Sequence, residues 1–130
     1  MPDRSKSQQK IVQKYIENPL LLNNRQWKNR KFDFRQWVLV MSWEPLDVYV
    51  FDACYLKICG SEFDLKAHDD ILKHLSNYSL QKNEKDKKEL VMSSADFEAY
   101  MREGKDPHFT WKHSMLPQIE SVIWRTLKSV

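Results

Sequence analysis

The run Lys31-Phe32-Asp33-Phe34-Arg35-Gln36-Trp37-Val38-Leu39-Val40 constrains this chain more than any other stretch, because polar and apolar side chains alternate along its first half. A period of two is the strand period. It sends Lys31, Asp33 and Arg35 to one face and Phe32, Phe34 and Val38 to the other. Aromatic and β-branched residues suit a half-buried pleated surface, so the Phe face reads as the core face. Three charges gathered on the opposite face must be paired, solvated or engaged with a ligand. A solvated sheet face and a phosphate or nucleotide platform both satisfy that pattern.

A length of 130 residues admits one domain or part of one, and 42% hydrophobic content with five Trp, five Tyr and six Phe excludes a disordered chain. A domain of this size hides about two-thirds of its unfolded surface, so it depends on every apolar face finding cover. The formal charge of +3 is too small to demand nucleic acid, although basic residues gather at Arg25, Lys28, Arg30 and Lys31 and again at Lys82, Lys85, Lys87 and Lys88. Cys54 and Cys59 are too few for a disulfide framework or a zinc knuckle, which points to a reducing compartment. The four histidines show no metal-ligand spacing. No apolar run reaches the roughly 18 residues of a membrane span, and the polar start Met1-Pro2-Asp3-Arg4-Ser5-Lys6 has no signal-peptide core. Gly60 and Gly104 are the only glycines, so neither a P-loop nor a dinucleotide fingerprint can be placed. Any nucleotide site here must be built from side chains and strand edges.

Local signals divide the chain further. Residues 1–10 read as a flexible tail and 11–130 as the folded part. Ile11–Ile16 reads as a short strand stopped before Pro19, and Asn23–Arg30 as a basic loop. A central strand over 31–41 leads through the turn Trp43-Glu44-Pro45-Leu46-Asp47 into Val48-Tyr49-Val50-Phe51, and Asp52-Ala53-Cys54 turns into Tyr55-Leu56-Lys57-Ile58. Short connections predict an antiparallel meander, since a parallel return needs a crossover of about a dozen residues. The charged stretch Gln81–Glu89 reads as mobile. Ser93 with Asp96 predicts a capped helix over Ser94–Arg102, closed by Gly104. Ser114 is expected to cap a last helix with Pro117 in its first turn, and Leu116, Ile119, Val122, Ile123, Thr126 and Leu127 form a stripe that reads as core.

Successive blocks VQKYIENPLL, KFDFRQWVLVMSWEPL, YLKI, HLSNYSLQK and PQIESVIWRTLK resemble the tubulin tyrosine ligase-like family, whose catalytic module is of the ATP-grasp kind. The resemblance runs from about Ile11 to the C-terminus, and the RQW and SWEPL wording resembles its glycylase branch. It implies an α+β fold, an antiparallel sheet with flanking helices similar to the C-terminal half of an ATP-grasp module. It further implies that Gln13, Lys14, Tyr15 and Ile16 line an adenine pocket, that Lys31 and Asp33 face ribose and phosphates, and that Arg35 approaches the reacting phosphoryl group or substrate carboxylate. A planar two-pronged donor suits such oxygens. Lys57 stands where the family usually has an arginine, keeping the charge and losing the fork. His74, Leu75, Ser76 and Asn77 fall on the nucleotide-facing loop, with Ser76 in place of a threonine. Arg35 and Lys57 are the catalytic candidates by this resemblance.

The family chemistry so implied uses ATP and magnesium to activate a side-chain carboxylate on an acidic C-terminal tail of tubulin, which a free amino acid, glycine or glutamate, then attacks. The setting is cytoplasm and cytoskeleton, with cilium or axoneme as its narrower form; neither nucleic acid nor a membrane is implied as a partner. The family's metal-binding carboxylates and asparagine lie downstream of the last helix, and the first-lobe phosphate-holding lysines lie before Ile11. This polypeptide alone is therefore expected to be catalytically silent. Glycylation is the leading reading, with a polyglutamylase fragment or a non-catalytic tail-binding module as alternatives. A nucleic-acid surface built from Arg25, Trp27, Lys28 and Arg30 ranks last. The site reading requires Lys31, Asp33 and Arg35 to share one side and to look towards the histidine-bearing turn.

Overall fold

Strand β1 (Phe32–Arg35) pairs antiparallel with β4 (Tyr55–Ile58), while β2 (Val38–Trp43) and β3 (Leu46–Val50) pair with each other between them. In this computed structural model, which describes residues 11–77, 79–80 and 90–129, the 31–41 stretch is thus two strands broken at Gln36 and Trp37. The break is held by a side chain in place of a ladder: Gln36 Nε2 donates to Phe51 O at 2.6 Å and to Trp37 O at 3.1 Å. Phe51 N–H donates to Trp37 O at 3.1 Å, so the two arms stay in register across the irregularity.

The expected meander is corrected to a nested ribbon. Chain reversal at the cis Glu44–Pro45 turn lets the arms zip back along each other, which brings β4 onto β1. The third strand of the main sheet is β5 (Val91–Ser93), too short to stand out in the sequence; it pairs with β4 to give the order β1-β4-β5.

Phe32 and Phe34 send their rings to the apolar face, where Leu56, Ile58 and Met92 from the neighbouring strands meet helix α2 (Ser94–Gly104). Phe97 is the centre of this core at 1% exposure. Its ring lies 5.3 Å from Phe34, 5.5 Å from Phe32, 5.9 Å from Phe109 and 6.5 Å from Trp111, mostly edge to face. Such tilted arrangements satisfy the ring quadrupoles better than face-to-face stacking. The capping signal is realised: Ser93 Oγ accepts from Asp96 N–H at 3.0 Å, and the helix runs to Gly104.

Asn23–Arg30 is tied down. Leu22 and Arg30 exchange backbone hydrogen bonds at 2.9 Å each, and Asn24 Oδ1 accepts from Gln26 and Trp27 N–H, a side-chain-closed turn that seats Trp27 in the core. Asn29 takes a left-handed φ of 46°, which asparagine tolerates. Trp27 is 7% exposed, so little of its ring is open to stacking.

Three further expectations are corrected. Ile11–Ile16 forms no strand and Val12 is 95% exposed; among the described residues no sheet edge lies alongside to supply ladder partners. The last helix is entered through a one-turn π-helix (Trp111–Met115) whose cap is Thr110, accepting from His113 N–H at 3.3 Å, and not Ser114. Ser114 Oγ instead accepts from Thr110 N–H. Helix α3 (Leu116–Lys128) rests on the core through Leu116 and Ile119, but its outer turns project away from it. No residue of α3 is buried and Val122 is 64% exposed, so the stripe is core at one end and uncovered at the other. The tail 1–10, Tyr78, Gln81–Glu89 and its four lysines lie outside the described residues.

Candidate functional site

The sheet's second face carries the polar residues of β1 and β4. Register places Asp33 opposite Lys57 and Arg35 opposite Tyr55, and directly opposed residues of an antiparallel pair project to the same side. Asp33 and Lys57 close no ion pair among the described residues. Arg35 Nε is buried with no hydrogen-bond partner among them. A cationic fork and an ammonium therefore share this face.

Over the face lies the segment that leaves helix α1, a single turn (Ile71–His74) capped by Asp70, whose Oδ1 accepts from Leu72 N–H at 3.1 Å. Lys31 Nζ donates to His74 O at 2.8 Å, and Ser76 Oγ donates to Asp33 Oδ2 at 2.5 Å. Two residues apart on the strand meet two residues apart on the loop, so the contacts act as side-chain rungs between them. Ser76 is 3% exposed, and the hydrogen bond to a carboxylate satisfies a hydroxyl that burial would otherwise strand.

His74 joins a third segment to this pair. Its Nδ1 lies 2.8 Å from Tyr15 Oη, its Nε2 3.0 Å from Ala67 O, and its ring is flanked by Phe63 and His68. Lys31 Nζ sits 5.7 Å from the centroid of the Tyr15 ring. Burial, then the nearby Cys59 and Asp33, push the Tyr15 phenol above its usual range, so it keeps its proton at neutral pH. Tyr15, His68, Ile71, His74 and Leu75 line a largely apolar slot of about 350 Å³ beside these contacts. A larger cleft of about 620 Å³, between Trp27, Tyr100 and the outer face of α2, includes none of the sequence-predicted residues.

Of the predicted site residues, the structure brings Tyr15, Lys31, Asp33, His74, Leu75 and Ser76 into one cluster. Arg35 and Lys57 share the sheet face with no side-chain hydrogen bond or ion pair to the loop among the described residues, where Lys31 and Asp33 are the strand charges that reach the histidine-bearing turn. Gln13, Lys14 and Ile16 are exposed and make no side-chain hydrogen bond or ion pair with the cluster among the described residues; Asn77 is exposed and its carbonyl accepts from Leu80 N–H at 2.9 Å. His68 and Ile71 line the slot without having been singled out in the sequence; only the tertiary fold brings them there. Burial pushes both thiols up to about 11, with Asp33 opposing and Lys31 and Arg30 favouring ionisation at Cys59, so neither is a nucleophile near neutral pH. Among the described residues no three His, Cys, Asp or Glu side chains are placed to hold a metal ion.

Comparison with known proteins agrees with the block-by-block resemblance. A sequence model of the Tubulin-tyrosine ligase family matches residues 1–130. Tubulin glycylase 3E of Tetrahymena thermophila is 41% identical over 129 residues, covering 95% of this chain and 9% of the relative. Tubulin monoglycylase TTLL3 of Homo sapiens is 32% identical over 127 residues, covering 92% and 16%, and Protein monoglycylase TTLL8 of Mus musculus is 31% identical over 126 residues, covering 91% and 14%. The chain thus spans between about a tenth and a sixth of the length of these curated relatives. With the match extending over every described element, the chain belongs to the tubulin-tyrosine ligase family.

Proposed function

We propose that this chain is the nucleotide-facing part of an ATP-dependent ligase that attaches glycine to glutamate side chains in the acidic C-terminal tails of tubulin, within an ATP-grasp module. The observation that carries the reading is the convergence of Tyr15, Lys31, Asp33, His74 and Ser76, residues from three separate blocks, on one side of one sheet. The glycylase names of the relatives support glycine as the transferred amino acid. The matching setting is the cytoplasmic cytoskeleton, cilium or axoneme.

The residues present fit a nucleotide. The apolar slot beside Tyr15 and His74 has room for a flat base. Lys31 donates one N–H to the His74 carbonyl and has two more to offer, while the Arg35 fork and the Lys57 ammonium lie along the same face, as a polyphosphate or a carboxylate requires. Asp33 accepts one hydroxyl already and has lone pairs for a second, the chemistry that a ribose demands. When bound, ATP would supply the phosphoryl group that makes a tail carboxylate open to attack by an amine. The chain's own part is to orient the nucleotide between Tyr15 and Lys31 and to keep cations beside the reacting oxygens, where they offset charge as it develops. Among the described residues no group of three His, Cys, Asp or Glu side chains is placed to hold magnesium.

The test is a transplant: this chain replaces the matching segment of Tubulin glycylase 3E, and tubulin incubated with Mg-ATP and glycine is read by mass spectrometry. The expected result is glycine addition that falls at least about ten-fold with Lys31→Ala or Asp33→Asn in the transplanted segment. A folded chimera that adds glutamate and not glycine, or binds tails without ATP-dependent addition while the parent enzyme is active, overturns the reading.

A further inference from the structure

Residues 11–16 have no ladder, and Tyr15 carries their one side-chain hydrogen bond among the described residues, to His74. The direction of that bond follows from its surroundings. Ala67 O can only accept, so the 3.0 Å contact with His74 Nε2 requires the proton to be on Nε2. In the neutral ring Nδ1 is then a lone pair, and Tyr15 O–H donates to it at 2.8 Å. Both ring nitrogens are used within the protein, and the ring plane is fixed by an edge contact with Phe63 at 5.6 Å, by Tyr15 at 5.7 Å and by His68 stacked at 6.4 Å. The same residue's carbonyl takes the Lys31 ammonium at 2.8 Å.

We infer that His74 is a positioning residue: its imidazole, protonated on Nε2, fastens the Tyr15 segment to the loop that holds Lys31, and no ring nitrogen is left for a ligand. One residue thereby sets the spacing between the segment assigned to the base and the cation assigned to the phosphates. The inference rests on the nucleotide reading for its functional meaning, but its geometry stands independently.

The experiment uses the whole 130-residue chain and two variants that keep an aromatic ring at the position, His74→Phe and Tyr15→Phe. Imidazole ¹⁵N NMR of the wild type should show Nε2 protonated and Nδ1 as a hydrogen-bond acceptor, with the Nδ1 signal moving in Tyr15→Phe. Limited trypsin cleavage after Lys14 should speed up about five- to ten-fold in both variants, the loss of one hydrogen bond expressed as an opening equilibrium. Affinity for the fluorescent probe TNP-ATP should weaken by the same factor in both. An Nδ1-protonated tautomer, or unchanged Lys14 cleavage in Tyr15→Phe, overturns the inference. Weakened probe binding in His74→Phe alone makes His74 a ligand contact and overturns it too. If the wild type binds no probe while both variants still release Lys14, the nucleotide reading fails and the positioning role stands. Should His74→Phe lower the unfolding midpoint too far for assay, Tyr15→Phe, which removes one oxygen, decides the matter.

Discussion

Ser76→Ala deletes a single hydroxyl from the rung that joins the loop to β1, and the structure sets the size of the effect. That hydroxyl donates to Asp33 Oδ2 at 2.5 Å from a residue 3% exposed. A hydrogen bond to a charged acceptor contributes about 1.5–3 kcal/mol. Asp33 is only half-buried, and screening by water lowers the expectation to about 1–2 kcal/mol. For a chain of this length that is a fall in Tm of roughly 4–8 °C. Urea unfolding followed by Trp emission, with Trp27 and Trp111 in the core as reporters, should show a lower midpoint at unchanged slope. The decisive version is a double-mutant cycle with Asp33→Ala. If the rung is the source of the loss, the double variant is no worse than about the weaker single one, with a coupling of about 1–2 kcal/mol. Additivity within about 0.5 kcal/mol would refute the claim that these two side chains hold the loop to the strand.

Phe97→Ala should cost about 3–5 kcal/mol, because it empties the position around which Phe32, Phe34, Phe109 and Trp111 are arranged; a calorimetric loss below about 1.5 kcal/mol would mean that the rings collapse into the space. Cys54 and Cys59 hold their protons to about pH 11 in the folded chain, whereas an unfolded thiol titrates near about 8.5. Between these values the unfolded state binds fewer protons, so stability is full below that window and declines as pH rises through it. Chemical denaturation from pH 8 to 11 should show the decline, and Cys59→Ala should flatten it. Val122→Ser on the uncovered part of α3 should change stability by less than about 0.5 kcal/mol while reducing self-association in sedimentation; a large loss of stability would place that side chain in the core after all.

The period-two pattern of Lys31–Arg35 made β1 and its two faces legible, because burial of Phe32 and Phe34 is a local consequence of pleating. The Ser93–Asp96 cap was legible for the same reason: donor and acceptor are three residues apart. The break at Gln36 was not, since it depends on a carbonyl from Phe51 that comes near only after the ribbon closes. Ile11–Ile16 has strand composition without a strand's neighbours, and composition cannot supply an edge. In the candidate site, the strand charges were readable from spacing, and the loop from its resemblance to a family block. The joint between Tyr15 and His74 was not, because it spans 59 positions and is made by two residues each ordinary in its own setting.

The nested ribbon has a kinetic corollary. Because β2 and β3 are joined by a tight reversal, they can meet with almost no loop to close, whereas β1 and β4 face a much longer entropic gap if they try to associate directly. Zippering from the tip inward shortens that gap one rung at a time, and β5 can dock only once β4 has arrived. The far end of the hairpin would then act as the starting point of assembly, and the cluster of charges at its base as the last part of the sheet to be put in order.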